Sequence, residues 1–334
     1  VFLLSQMIHN PEVNRDLISR GVRFLMDTSG RQLIPFEELK PDDIVIIPAF
    51  GTTIETEKKL EASGIVVQKY NTTCPFVERV WKKSGQLGAE QYTVIIHGKP
   101  AHEETRATFS HSAQHSPVIM VKDMEEAILL GEFIQGQKTR EEFDIAFTGR
   151  TTDDFEPEKD LHRVGVINQT TMLATETQAI ADYFKQVMSI KYGNENLKDH
   201  FADTRDTLCY ATNENQESMY GLLEKDADIA LVVGGYNSSN TSHLVELCKQ
   251  KFPTYFIRDD SEIFSEKRIR HFDLHMHALK ETENWLPAKR PVKIILTSGA
   301  SCPDSVVDRV LQKVLGFFEG VKDVDAVLED VEKN

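Results

Sequence analysis

One unit recurs along the chain and restricts its fold more than any other feature. A short β-branched run ends in a loop of small or polar residues, and a helical pattern follows. Residues 44–47 lead into Phe50-Gly51-Thr52-Thr53 and a helical stretch at 55–60, and residues 94–96 lead into His97-Gly98-Lys99 and a helix from Glu103 onward. Residues 164–167 run into Asn168-Gln169-Thr170-Thr171 and then 175–187, and residues 229–233 into Gly234-Gly235 and then 241–251. The last copy joins 294–296 through Thr297-Ser298-Gly299-Ala300-Ser301 to 306–317. Continuous apolar strands alternating with amphipathic helices require parallel sheets covered on both faces. A chain of 334 residues has room for one large or two to three small domains of this α/β class. In such sheets ligands sit beyond the carboxyl ends of the strands, where all of these loops fall. Their Gly, Ser, Thr, Asn and His suit an anion; the same residues also make ordinary capped strand-to-helix turns.

Between the units, residues 153–160 read as an acidic, Pro-containing loop and 192–206 as a polar linker, while the acidic tail at 320–334 has a weak helical period and no evident chemistry. No run approaches the roughly 18 apolar residues of a membrane helix. The opening Val-Phe-Leu-Leu-Ser has no initiator Met, signal or transit segment, as expected of a mature or truncated product. The net charge of −15 argues against broad nucleic-acid binding, which needs a basic face. It leaves a small anionic substrate open, because backbone amides at helix starts bind phosphate without net positive charge. The four cysteines lie far apart with no disulfide framework, which fits a reducing compartment.

Cys74 and Cys209 share a context. Each closes a polar segment and stands just before a helix, with Pro75 a good first helical residue and Asn213 near the start of the second helix. A cysteine at a helix N-terminus is more readily the thiolate that binds metal, although a free cysteine is often simply buried. Cys248, with Leu244 and Leu247, lies on the apolar face of a helix and reads as core; Cys302, between Ser301 and Pro303, fits either role. His102 and Glu104 stand at a sheet mouth, where an imidazole can hold a phosphate oxygen and a carboxyl can relay a proton. A first-turn Glu that favours the helix dipole is the plainer reading. Asn237-Ser238-Ser239-Asn240 offers several hydrogen-bonding side chains at a helix start, for a phosphate or for a cap. His271, His275 and His277 have spacings compatible with zinc, but the very polar stretch around them reads as a solvated helix.

Taken together, these segments resemble the (E)-4-hydroxy-3-methylbut-2-enyl diphosphate reductase family of the non-mevalonate isoprenoid pathway. The motifs are Ile8-His9-Asn10-Pro11, Thr73-Cys74-Pro75, His102-Glu103-Glu104-Thr105, Asn168-Gln169-Thr170-Thr171, Cys209-Tyr210-Ala211-Thr212-Asn213, Asn237-Ser238-Ser239-Asn240 and Gly299-Ala300-Ser301-Cys302-Pro303. They stand in the family's order across nearly the whole chain. Phe50-Gly51, where another branch has a histidine, resembles the plant and cyanobacterial form.

The resemblance implies a trefoil of three similar α/β domains with small parallel sheets around a central [4Fe–4S] cluster. Domains are expected at 1–74, 75–205 and 206–319, followed by a tail at 320–334. It further implies that Cys74 and Cys209 hold the cluster, the family's first cysteine lying upstream of the Ile8-His9-Asn10-Pro11 motif and absent from this chain. His9 and His102 would bind the diphosphate with Ser238, Ser239, Asn240 and Ser301 around it, Glu104 would give the proton, and Thr170 would stand beside the substrate hydroxyl. The implied reaction converts the hydroxylated diphosphate to isopentenyl and dimethylallyl diphosphate. Electrons would come from ferredoxin or flavodoxin, whose acidity calls for a local basic patch on this acidic chain. The expected location is the cytoplasm of a bacterium or the plastid stroma of a plant or alga. The rival expectations are a cluster-free phosphate-binding protein or transferase built on the same loops, and an inactive fragment that keeps the fold.

Overall fold

A strand buried on both faces is apolar along most of its length, and the runs read from the sequence form strands. The structure, a computed structural model, describes residues 1–204, 207–324 and 326–327. The first sheet is short and parallel: β1 (Phe2–Leu3), β2 (Arg23–Phe24) and β3 (Val45–Ile46), in the order β2-β1-β3. The second comprises β4 (Thr93–His97), β5 (Val118–Val121), β6 (Val164–Asn168) and β7 (Phe201–Ala202), in the order β5-β4-β6-β7 and parallel throughout. Every residue of β4 and β6 is buried. The third sheet is formed by β8 (Ile229–Val233), β9 (Thr254–Ile257) and the chain's last strand. An antiparallel hairpin, β10 (Arg268–Asp273) and β11 (Ala278–Glu283), precedes that last strand, β12 (Ile294–Ser298), and the sheet order is β12-β8-β9.

The chain divides into two compact units, Val1–Gln216 and Glu217–Asn334. The first holds the first two sheets. Its largest core packs Ile95, Val164 and Val166 against the helices Met124–Ile134 and Ala174–Tyr192, with Phe133, Phe143, Phe147 and Phe155 in ring contact. The second unit holds the third sheet and the hairpin, around a core of Leu231, Val233, Ile257, Trp285 and Val310.

Two expectations are corrected. Residues 192–206 are not a linker: the helix Leu197–His200 leads into β7, which pairs with β6, and Phe201 enters the core. The few apolar residues of this polar stretch show no period, yet closing the edge of β6 rewards Phe201. Residues 205–206 of that stretch lie outside the described residues, as do 325 and 328–334 of the tail. Residues 271–277 are not a solvated helix but the end of β10 and the turn of the hairpin, with His277 at a positive φ of 49°. The period there is two, so Ile269 and His271 point inward, and the His271 ring meets the Thr282 hydroxyl across the hairpin at 2.9 Å. The acidic loop at 153–160 closes in a short helix, Pro157–Asp160.

Candidate functional site

In the first unit the loops after β1, β3, β4 and β6 carry the expected residues. β4 runs into a turn in which His102 caps the helix Glu103–Ser112, its Nδ1 accepting the Glu104 N–H at 3.2 Å. That bond uses the Nδ1 lone pair, so the ring carries its proton on Nε2. Burial, helped by the positive charges of His9, Lys99 and Arg106, holds His102 well below the usual histidine range, so the ring is neutral at physiological pH.

Glu104 is almost fully buried, at 1% exposure. The Thr170 N–H donates to its Oε1 at 2.5 Å and the Thr170 hydroxyl to its Oε2 at 3.0 Å. Burial pushes the carboxyl up to about 7 against the opposing pull of those two bonds. The β4 and β6 loops are tied together a second time by Gln169, whose Oε1 accepts from the Lys99 N–H and the Thr105 hydroxyl.

His9 immediately precedes Asn10, which caps the helix Pro11–Ser19 by accepting from the N–H groups of Glu12 and Val13. Its Nε2 lies 3.0 Å from Glu103 Oε2, and both residues are buried. The His9, Phe50 and His102 rings pack together, with centroids 4.4, 4.9 and 5.6 Å apart. Gly51, at φ +73°, lets the chain turn there; a Cβ would lie 2.4 Å from Trp81.

The two candidate metal ligands are placed alike. Cys74 begins the helix Pro75–Ala89 and donates its N–H to Ala49 O at 2.9 Å, in the loop after β3. Cys209 precedes the helix Tyr210–Leu223 and donates its N–H to Thr170 O at 3.2 Å, in the loop after β6. The rings of Phe76 and Tyr210, one just beyond each cysteine, are 5.7 Å apart. Both thiols are free and partly exposed. Thiolate sulfur is the donor that iron–sulfur groups take, so these two residues fit such a group as far as they go. Among the described residues no group of three or more His, Cys, Asp or Glu side chains is poised for a metal ion, and His271, His275 and His277 form none. Cys248 is fully buried, with its thiol pushed up to about 12 by burial. Cys302 is also buried and belongs to a core cluster.

In the second unit Ser238 caps the helix Ser239–Lys249, accepting the Thr241 N–H at 3.2 Å. Gly234, after β8, and Gly299, after β12, press against Thr241; a Cβ on either would lie within 2.6 Å of its hydroxyl. Both polar atoms of the Asn240 side chain and the hydroxyls of Thr241 and Ser301 are buried with no hydrogen-bond partner among the described residues. The loop is therefore a capped turn and also a cluster of unsatisfied polar groups. A ligand that paired with them would recover about 1–3 kcal/mol for each.

The contact of Glu103 with His9 and the packing of Phe50 on both histidines were not apparent from the sequence. A pair 94 residues apart leaves no local period, and Glu103 has the ordinary sequence signature of a first-turn acid.

Comparison with known proteins places the chain in a family. The family model described as LytB protein matches residues 1–315. The 4-hydroxy-3-methylbut-2-enyl diphosphate reductase of Gloeobacter violaceus is 40% identical over 94% of this chain and 74% of its own length. That of Cyanothece sp. is 39% identical over 95% of this chain and 76% of its own length. A solved structure of (E)-4-hydroxy-3-methyl-but-2-enyl diphosphate reductase, the terminal enzyme of the non-mevalonate pathway, superposes with a TM-score of 0.53 at 25% identity, covering 95% of this chain and 88% of that one. The corresponding reductase from Plasmodium falciparum gives a TM-score of 0.66 at 18% identity over 100% of this chain and 88% of that one, a likeness of fold.

Proposed function

Because the chain belongs to the LytB family of 4-hydroxy-3-methylbut-2-enyl diphosphate reductases, we propose that Glu104 is the acid of its reaction. That reaction is the reductive dehydroxylation of (E)-4-hydroxy-3-methylbut-2-enyl diphosphate to isopentenyl and dimethylallyl diphosphate, the terminal step of the non-mevalonate pathway. A hydroxyl leaves as water only if it receives a proton. The observation that carries the assignment is a buried carboxyl raised to about 7, which holds a transferable proton near neutral pH. Thr170 grips both carboxyl oxygens, so it steadies the carboxylate left behind and keeps its own hydroxyl beside the reacting group.

In the first unit, His9 and His102 are proposed to bind the diphosphate. His102 carries its proton on Nε2 and so offers an N–H without adding charge. In the second unit, Ser238, Ser239, Asn240 and Ser301 are proposed as diphosphate ligands, supported by the unsatisfied Asn240 and Ser301 side chains. Cys74 and Cys209 are the residues that would hold a [4Fe–4S] cluster, which supplies electrons singly to the substrate when bound. A ferredoxin or flavodoxin is the proposed donor. Among the described residues no helix is long and apolar enough to cross a membrane; the proposed location is the bacterial cytoplasm or the plastid stroma of a plant or alga.

Glu104→Gln keeps the shape and removes the transferable proton. Turnover should fall by about 100-fold or more, the usual loss when a general acid is removed, with substrate binding retained. Near-normal product formation would reassign the acid.

A further inference from the structure

We infer that Glu103 is a positioning residue for diphosphate recognition: it fixes the His9 ring so that Nδ1 is the nitrogen left for the phosphate. The inference rests on the reading of His9 as a diphosphate ligand and adds a residue to it.

A glutamate in the first turn of a helix ordinarily serves the helix dipole from solvent. Glu103 does not stay in solvent. It is 8% exposed and its Oε2 meets Nε2 of His9, itself 7% exposed, at 3.0 Å. The adjacent Glu104 turns instead to Thr170, as expected of successive helical residues about 100° apart around the axis. The two glutamates thus serve different loops. Arg106, one turn along the same helix, donates to the carbonyls of Ala101 and Thr28 and feels the charge of Glu103.

Packing of His9 against Phe50 at 4.4 Å and His102 at 4.9 Å limits the tilt of the ring. It does not choose between the two orientations related by a half-turn about Cβ–Cγ. Only a polar partner can do that, and Glu103 does so by taking Nε2. Nδ1 is then the remaining nitrogen. A ring that donates Nε2–H to Glu103 and Nδ1–H to a phosphate oxygen is an imidazolium, with an anion on each side.

The test is calorimetric titration of inorganic pyrophosphate into the purified chain and its Glu103→Ala, Glu103→Gln, His9→Ala and Glu103→Ala/His9→Ala variants, with thermal unfolding as the check on folding. Losing the orienting partner should weaken pyrophosphate by about ten-fold in Glu103→Ala, the order of one charge-assisted hydrogen bond. Glu103→Gln, which keeps an oxygen to accept Nε2–H, should recover part of that loss, and it serves as the single variant if the alanine variant does not fold. Because Glu103 acts through His9, the double variant should bind no more weakly than His9→Ala alone. In turnover, KM should rise much more than kcat falls. Losses that add in the double variant, or unchanged affinity in Glu103→Ala and Glu103→Gln alike, overturn the inference while the reading of His9 survives. Unchanged affinity in His9→Ala overturns both.

Discussion

Glu104 has two opposing influences on its charge. Burial favours the neutral acid, the two hydrogen bonds from Thr170 favour the carboxylate, and burial prevails, raising the group to about 7. If its proton is the one delivered, the acid form must be present, so kcat should fall by about ten-fold per pH unit above 7. A pH–rate profile tests this, and a rate that climbs steadily from pH 6 to 9 would exclude Glu104 as the acid. The same shift predicts a stability effect. The carboxyl titrates near 4.5 in the unfolded chain and near 7 when folded, so the folded state binds the extra proton. The stabilisation is complete below pH 4.5 and is lost as pH rises through 7, on the order of 3 kcal/mol. Glu104→Gln should lack this dependence, so wild-type urea-unfolding free energy measured against the variant should fall across that window; parallel curves would contradict the shift. At this scale the sequence shows residue types in a local pattern: His102, Glu104 and Thr170 could be singled out from their motifs. It does not show that Glu103 reaches His9 or that Phe50 covers two imidazoles, because those contacts exist only once separate strand-end loops are brought together.

Among the elements, the loop at Ser238 shows how a cap and a ligand site can be one structure. The Ser238 hydroxyl accepts the Thr241 N–H, and Asn240 beside it has side-chain atoms that pair with nothing among the described residues. Substitution can separate the two roles. Alanine at an N-cap costs about 1 kcal/mol of stability and glycine only a few tenths, yet either removes the hydroxyl. Ser238→Gly should therefore unfold close to the wild type in urea while binding pyrophosphate as poorly as Ser238→Ala. Wild-type affinity in Ser238→Gly would leave the cap as the only role. The structure repeats the sequence reading of β8 residue for residue, and the following helix starts two residues earlier than its apolar period suggests because the cap sits at Ser238. Strong periods were therefore readable, whereas β7 was not, being two residues long and held by pairing with β6 rather than by any pattern of its own. The hairpin at 268–283 was missed because its polar outer face hides the two-residue alternation of Ile269 and His271.

At the scale of the whole molecule, two parallel sheets of the first unit each send a strand-end loop to a cysteine at a helix start. The backbone N–H groups of Cys74 and Cys209 donate to Ala49 O and Thr170 O of those loops, whereas that of Cys302 closes a local turn onto Gly299 O. The repeated α/β unit made this much legible, since each strand-loop-helix segment is local in sequence. What differs is the thiol. Cys74 and Cys209 are partly exposed, while Cys302 is 8% exposed and packs in the core with Val306 and Val310. The shared helix-start context of Cys74 and Cys209 was legible in the sequence, whereas the burial of Cys302 was not. Cubane clusters are usually held by Cys thiolates at each iron or at all but the one kept open for substrate. Anaerobic reconstitution with iron and sulfide tests the assignment. That iron should depend on Cys74 and Cys209 and not on Cys302, so Cys74→Ser and Cys209→Ser should lose it and Cys302→Ala should keep it. Iron analysis beside the visible absorbance measures this. A full cluster that survives Cys74→Ser, or one lost in a folded Cys302→Ala, would move the ligands elsewhere and undo the assignment.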